Sequence, residues 1–199
     1  MIIGLMGNSG AGKSQVAEYL KEKGALIIDA DELSREVCGL GQPGLKKLQE
    51  IFEPYFFNDD GSMNRKRMGR YVFANPAELK KLESVIHPIV WKRVEEEIAR
   101  PDHDLKVIDS AILIKSGLNK LTDEVWLVMA DLDKKLDRIS TRDGITVEEA
   151  MNRLKNQNDE TILTRYADKI IDNNGTHEQL IAQVEEYLGA CVKQNEKKE

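Results

Sequence analysis

The residues with the clearest chemical pattern stand near the start of the chain, at positions 7–14. They follow the order glycine, four residues, glycine, lysine and serine, and they read Gly7-Asn8-Ser9-Gly10-Ala11-Gly12-Lys13-Ser14. Glycines let a backbone fold around phosphate oxygens with its N–H groups pointing inward. The pattern therefore predicts a P-loop, a loop that binds the phosphates of a nucleotide such as ATP.

Two side chains of this loop have specific expected roles. We expect Lys13 to contact the β- and γ-phosphates and to act in catalysis, and the Ser14 hydroxyl to bind Mg²⁺. A helix that begins here would add the positive end of its dipole. A chance match is the alternative, but the motif also stands between an apolar run at 2–6 and an amphipathic segment at 14–23. This context favours the functional interpretation.

A phosphate-binding loop alone does not separate a kinase from a GTPase or a motor. The nearest match to the guanine-reading Asn-Lys-x-Asp begins at Asn119, where Thr122 stands in place of the aspartate. This disfavours a GTPase. Motors and DNA-associated ATPases are usually larger or more basic than this chain of 199 residues, whose formal net charge is -6. The pattern therefore indicates a kinase that acts on a small molecule.

The composition disfavours several other classes of protein. Lysine and arginine are spread along an acidic chain, whereas affinity for nucleic acid depends on cationic contacts that release counterions. Cys38 and Cys191 match no metal-ligand spacing, no apolar stretch is long enough to span a bilayer, and the first residues lack the basic region of a secretory signal. We expect a cytoplasmic monomer or small homo-oligomer with no nucleic-acid or membrane partner.

Apolar spacing predicts the elements that must position the loop. Short apolar runs are typical of buried parallel strands, and strands are predicted at 2–6, 25–28, 107–108, 125–129 and 170–171, with a closing helix at 177–188. Strand, loop, helix and strand within the first 31 residues form a βαβ unit. The expected fold is therefore α/β, with a P-loop NTPase-type parallel sheet flanked by helices.

Two segments interrupt this predicted core. Residues 32–101 have helical spacing and no convincing parallel strand, which predicts a helical insertion that binds the acceptor. Residues 131–165 are charged and helical, which predicts a mobile lid. Because repeats and a long linker are lacking, we expect one folding unit, with its core at about 1–31, 102–130 and 166–190.

Beyond the loop, the sequence resembles the dephospho-CoA kinase family over nearly its whole length. The shared pieces are short and occur in the family's order: 28–31, Arg35, 41–45, 60–61, 64–65, 72–76, 82–83, 86–88, Arg138, Arg142-Asp143, Arg153, Gln157, 167–168 and 171–175. The resemblance implies that ATP, with Mg²⁺, phosphorylates the ribose 3′-hydroxyl of dephospho-CoA to give coenzyme A and ADP. Another P-loop small-molecule or nucleotide kinase and an ATP-binding regulatory module stay open as alternatives.

The resemblance also assigns roles on the acceptor side. Asp31 matches the family residue proposed as the base, and we expect it to end a strand adjacent to the P-loop strand. Alternation along that strand would point Asp29 and Asp31 the same way. A helix cap is the alternative for either carboxylate, and Asp29 is expected to be structural. Arg35 and Arg65 are expected to bind the acceptor, although Arg65 also fits a solvated helix face.

Three further residues are assigned to the nucleotide. Arg142 is expected to neutralise charge on the transferring phosphoryl group, and Arg138 to bind the nucleotide. The alternative for both is an i, i+4 salt-bridge face on a charged helix. Asp109 follows the apolar pair at 107–108 and is expected to assist Mg²⁺ through water. Asp29 and Asp109 remain alternatives to Asp31 as the base.

Overall fold

A computed structural model of the chain describes residues 1–155, 157 and 159–195, and for 191–195 only the backbone. The expectation for the thiol of Cys191 therefore lies outside the described side chains. The chain divides into two compact units. The first consists of residues 1–28 together with the chain from residue 101 onward, and the second consists of residues 29–100. The single folding unit that we expected, the acceptor-binding insertion and the mobile lid stay predictions.

The first unit is built on a five-stranded sheet. Its strands, in chain order, are β1 (Ile2–Met6), β2 (Leu26–Asp29), β3 (Lys106–Asp109), β4 (Glu124–Met129) and β5 (Lys169–Asp172). They lie in the order β2-β3-β1-β4-β5. β1 pairs in parallel with both β3 and β4, and β4 pairs in parallel with β5. All five predicted strands are confirmed, with bounds that differ by at most one residue at either end.

Helices account for most of the remaining described chain. They are α1 (Lys13–Glu22), α2 (Ala30–Glu36), α3 (Pro43–Ile51), α4 (Arg65–Ala74), α5 (Pro76–Ile98), α6 (Leu132–Asp143), α7 (Val147–Lys155), α8 (Glu160–Leu163) and α9 (His177–Asn195). Among the residues described, no helix is long and apolar enough to cross a membrane.

The core of the first unit explains why these segments form a sheet covered by helices. Strand residues such as Leu5 and Trp126 are fully buried, as parallel strands covered on both faces must be. α1 packs Leu20 and α9 packs Val184 into the same apolar cluster. The loop that follows β1 is therefore anchored at both ends, by a buried strand and by a helix packed on the same apolar core.

The second unit, all of whose residues are described, contains α2 to α5. It has no strand of its own, and its only bridge is an isolated antiparallel one between Phe57 and Met63. The rings of Phe52 and Phe56 meet edge to face, with centroids 6.0 Å apart, and Phe56 also packs on Tyr71. The helical character predicted for 32–101 is confirmed.

Two expectations about the end of β2 are wrong. β2 is not adjacent to the P-loop strand β1, because β3 lies between them. The alternation of Asp29 and Asp31 also fails, because β2 ends at Asp29 and α2 begins at Ala30. The Asp29 carboxylate accepts a hydrogen bond from the backbone N–H of Glu32 at 2.8 Å. Asp29 is thus the helix cap, and Asp31 and Glu32 in the first turn favour helix over strand.

Candidate active site

The loop at 7–12 connects the end of β1 to the start of α1, as its sequence predicts. Gly10 and Gly12 have left-handed φ values of 77° and 98°. A β-carbon at Gly12 would lie 1.9 Å from Asn173 Nδ2, and one at Gly10 would lie 2.7 Å from the Lys135 carbonyl oxygen. Only glycine fits both positions, so the backbone is held tightly and its N–H groups can surround an anion.

Lys13 and Asp109, two of the predicted site residues, meet in the structure. Asp109 is the last residue of β3 and pairs in register with Leu5 of β1. The Lys13 ammonium contacts the Asp109 carboxylate, and the two side chains are 18% and 11% exposed. Ser14 is the second residue of α1. The cation expected at the phosphates and the carboxylate expected near the metal are therefore neighbours at the carboxyl edge of the sheet, where ligands of such sheets bind.

Two side chains that are distant from the loop in sequence donate hydrogen bonds to its backbone carbonyls. Asn173, which is 3% exposed, donates through Nδ2 to the Ala11 carbonyl at 2.8 Å and to Gln15 Oε1 at 3.2 Å. Arg138 donates to the carbonyls of Gly10 at 3.1 Å and Asn173 at 2.9 Å. Sequence reasoning missed the role of Asn173, whose only signal was its place in the family-like run 171–175. These contacts give Arg138 a bracing role, and its binding of nucleotide stays a prediction.

The predicted lid also contacts the loop. Gln157 Oε1 accepts from the Ser9 backbone N–H at 2.8 Å. Glu160 Oε1 accepts from Asn8 Nδ2 at 3.2 Å and from the Lys135 ammonium at 2.7 Å. Neither Gln157 nor Glu160 had a predicted role. The only signal for Gln157 was its place among the family-like pieces, and Glu160 had none, because the partners lie about 150 residues away or on another helix.

Arg142 stands in a small ion cluster at the end of α6. Its Nε and Nη2 donate to the two carboxylate oxygens of Asp143 at 2.8 and 3.0 Å, and Nη2 also lies 3.4 Å from Ser9 Oγ. Arg153 contacts the same carboxylate. Hydrogen bonds from Arg142 and then Arg153 lower the pKa of Asp143 to about 2, and Asp143 in turn raises the pKa of Arg142. The site residue predicted on α6 is thus charged and pairs mainly with Asp143, with one longer contact to the loop at Ser9.

The predicted acceptor residues lie in the second unit. Arg65, the first residue of α4, donates to the Arg35 carbonyl at 2.9 Å. The Arg35 side chain pairs with Glu32, whose carboxylate raises the pKa of Arg35. Asp31 stands in the first turn of α2, four residues before Arg35. The structure brings the two predicted arginines together, and their roles in binding the acceptor stay predictions.

A cavity of about 190 Å³ lies within this unit beside Arg65. Its lining is mainly apolar and includes Cys38, Met68, Phe73, Leu82 and Ile86. Burial raises the pKa of the Cys38 thiol, which keeps it neutral. Arg65 is the cationic side chain among these lining residues.

The family model for dephospho-CoA kinase matches residues 1–179 of the chain. The chain belongs to the dephospho-CoA kinase family. A dephospho-CoA kinase from Shouchella clausii is 36% identical over 191 residues, which cover 94% of this chain and 97% of that protein. A dephospho-CoA kinase from Symbiobacterium thermophilum is 38% identical over 195 residues, which cover 96% of this chain and 81% of that protein.

Solved structures agree with this membership at the level of the fold. A crystal structure of a Thermus thermophilus protein superposes with a TM-score of 0.83 at 30% identity, covering 98% of this chain and 97% of the other. Dephospho-CoA kinase from Campylobacter jejuni superposes with a TM-score of 0.68 at 24% identity, covering 98% of each chain. The P-loop fold expected from the sequence is confirmed.

Membership of this kinase family implies ATP together with a divalent metal ion. In the residues that the structure describes, no group of three or more histidine, cysteine, aspartate or glutamate side chains could hold a metal. The donor set at the loop still fits one, because magnesium sites in kinases take most of their ligands from substrate phosphates and water and few from the protein. The Ser14 hydroxyl and the Asp109 carboxylate supply oxygen donors of the type that magnesium prefers.

Proposed function

We propose that this member of the dephospho-CoA kinase family transfers the γ-phosphoryl group of ATP to the ribose 3′-hydroxyl of dephospho-CoA in the cytoplasm. The products are coenzyme A and ADP. The observation that supports this most directly is the complete P-loop, with Lys13 beside Asp109, in a chain that the family model matches over residues 1–179.

On the nucleotide side, the proposed work of the protein is charge neutralisation and positioning. Backbone N–H groups of the loop and the Lys13 ammonium bind the phosphates of ATP. A Mg²⁺ ion held by Ser14 and, through water, by Asp109 would supply further positive charge against the phosphate oxygens. Arg142, already directed at Ser9, neutralises charge that develops on the transferring group. Most of the rate acceleration then comes from orientation and electrostatics.

On the acceptor side, Asp31 would act as the base. It accepts the proton of the attacking 3′-hydroxyl while the oxygen bonds to the γ-phosphorus and the bond to the β-phosphate oxygen breaks. Arg35 and Arg65 would bind the phosphates of dephospho-CoA, and the hydrogen bond from the Arg65 guanidinium to the Arg35 carbonyl places that guanidinium beside the backbone of α2. A bidentate guanidinium suits a phosphate better than a point charge does.

A turnover assay tests the proposal. The purified protein is mixed with MgATP and either dephospho-CoA or a set of nucleoside monophosphates, and ADP release is followed. We expect ADP release when the acceptor is dephospho-CoA and none when it is a nucleoside monophosphate. ³¹P and ¹H NMR of the product should show the new phosphate on the ribose 3′-oxygen. Release with a nucleoside monophosphate instead would indicate a nucleotide kinase. ATP binding without any turnover would indicate a regulatory module.

A further inference from the structure

Two residues of the P-loop, Asn8 and Ser9, form what we call its outer arm. The Asn8 carbonyl accepts from the Ala11 backbone N–H at 3.1 Å, which closes a turn around the arm. Three further hydrogen bonds join the arm to the lid: Gln157 accepts from the Ser9 N–H at 2.8 Å, Glu160 accepts from Asn8 Nδ2 at 3.2 Å, and Arg142 Nη2 donates to Ser9 Oγ at 3.4 Å. The lid therefore supplies the acceptors that hold this part of the loop.

The Glu160 carboxylate is itself held in place by a buried cation. Lys135 is 7% exposed, and its ammonium lies 2.7 Å from the Glu160 oxygen that also accepts from Asn8. In such surroundings an ammonium needs a counter-ion, and breaking a buried pair costs much more than breaking an exposed one. The ion pair thus holds Glu160, the first residue of α8, against α6. It also fixes the position of Glu160 Oε1, which accepts the hydrogen bond from Asn8.

An arm held in this way matters for the phosphates because a P-loop binds them with backbone dipoles that must already point inward. A loop that has to be ordered at the moment of binding spends part of the binding free energy on that ordering. Gln157 and Glu160 remove this cost without contributing a charge to the phosphates themselves.

We propose that Gln157 and Glu160 are positioning residues for the nucleotide: they hold the outer arm in its phosphate-binding shape, so that lid closure and P-loop order are one event. The inference rests on the proposed function of the P-loop as a nucleotide site. By linkage, anything that opens the lid weakens nucleotide binding, and nucleotide binding keeps the lid closed.

The deciding variant is Gln157→Ala, which removes one acceptor from a partly exposed side chain. ADP affinity is measured by calorimetry, and KM for ATP, KM for dephospho-CoA and kcat by kinetics. Loss of one such hydrogen bond should raise the Kd for ADP and the KM for ATP by about tenfold. KM for dephospho-CoA and the melting temperature should stay at the wild-type values, which a merely structural defect would not produce.

A second variant, Glu160→Gln, keeps an acceptor oxygen for Asn8 but removes the charge that Lys135 needs. It should weaken ADP binding and also lower the melting temperature. Combined with Gln157→Ala, it should weaken ADP binding by less than the product of the two single effects, because both residues hold one arm. The matched control is Glu148→Gln, which removes a charge from an exposed position on α7 and should leave ADP binding unchanged.

ADP binding to Gln157→Ala as tight as to the wild type would overturn the inference. Tighter binding would overturn it too, because Gln157 would then be competing with the phosphates. Since ADP binding needs no acceptor, these outcomes are independent of the turnover assay, in which a wrong proposed function shows as no reaction of the wild type with dephospho-CoA.

Discussion

Lys13 is the residue whose removal should separate nucleotide binding from folding. Lys13→Ala removes the loop's principal side-chain cation while leaving its glycines and the sheet in place, so we expect a folded protein with very weak ATP binding and no turnover. Calorimetry with MgATP measures the first effect and the kinase assay the second. Lys47→Ala, an exposed change on α3, is the control. Unchanged ATP affinity in Lys13→Ala would contradict the assignment.

Asp143 should titrate well below an ordinary aspartate. Arg142 and Arg153 lower its pKa from 3.8 to about 2, so the carboxylate stays charged, and Arg142 stays held, through the whole physiological range. Because the folded-state pKa is the lower one, the stabilisation is present above about pH 4 and is lost as the pH falls toward 2. The contact between Arg142 and Asp143 should therefore be insensitive to pH near neutrality.

Carboxyl NMR on the variant Arg153→Ala tests this cluster. The pKa of Asp143 should rise but stay below 3.8, because Arg142 remains as its larger influence. Asp60 is the internal reference: the Ser62 hydroxyl lowers its pKa in the other unit, and that pKa should not move. An Asp143 pKa that is ordinary in the wild type would show that the ion cluster does not exist in solution.

At the scale of elements, local pattern was sufficient for most of the fold. The run at 2–6 and the glycine-rich loop after it define β1 and the start of α1 with hardly any ambiguity, because strand burial and glycine spacing are local properties. The failure at Asp29 and Asp31 has a local cause too. The same acidic residues suit the end of a strand and the first turn of a helix, and the capping hydrogen bond to Glu32 decided for the helix.

The segment 131–165 is the element for which we predict motion. Its helices carry many charges, and lids of this kind exclude water on closing. Hydrogen exchange of its backbone should slow when ATP and dephospho-CoA are added together, while peptides from α9 should exchange as before. Equal protection of 131–165 with and without ligands would mean that these helices are a fixed part of the core.

At the scale of the whole molecule, the proposed nucleotide residues belong to one compact unit and the proposed acceptor residues to the other. Binding and chemistry should therefore be separable by mutation. Asp31→Asn keeps the size of the side chain but removes a base, and general-base assistance is worth about 10²–10⁴ in rate. We expect kcat to fall by that order while ATP affinity and melting temperature stay near the wild type.

The measurement on Asp31→Asn has a built-in comparison, Asp29→Asn, at the residue that caps α2. Asparagine caps a helix as well as aspartate, so this variant should keep both activity and stability. A near-normal kcat in Asp31→Asn would rule out Asp31 as the base and turn attention to Asp109.

Contacts between residues that are far apart in the chain could not be predicted from the sequence. Asn173, Gln157 and Glu160 touch the P-loop across more than 140 positions of chain, and nothing in their neighbours' types or spacing indicates this. The position of β3 between β1 and β2 is of the same kind, since strand order depends on how the chain returns after the second unit. Such facts become visible only in three dimensions.

The bracing of the P-loop has a consequence for the newly made protein. The loop is synthesised before the side chains that brace it, because Asp109, Arg138 and Asn173 all follow it in the chain, and the last of these comes after β5. At about 5–20 residues per second, the loop waits roughly 10–30 seconds for Asn173 to be synthesised. We therefore expect a chain that ends before β5 to carry the full glycine motif and yet bind nucleotide far more weakly than the whole protein does.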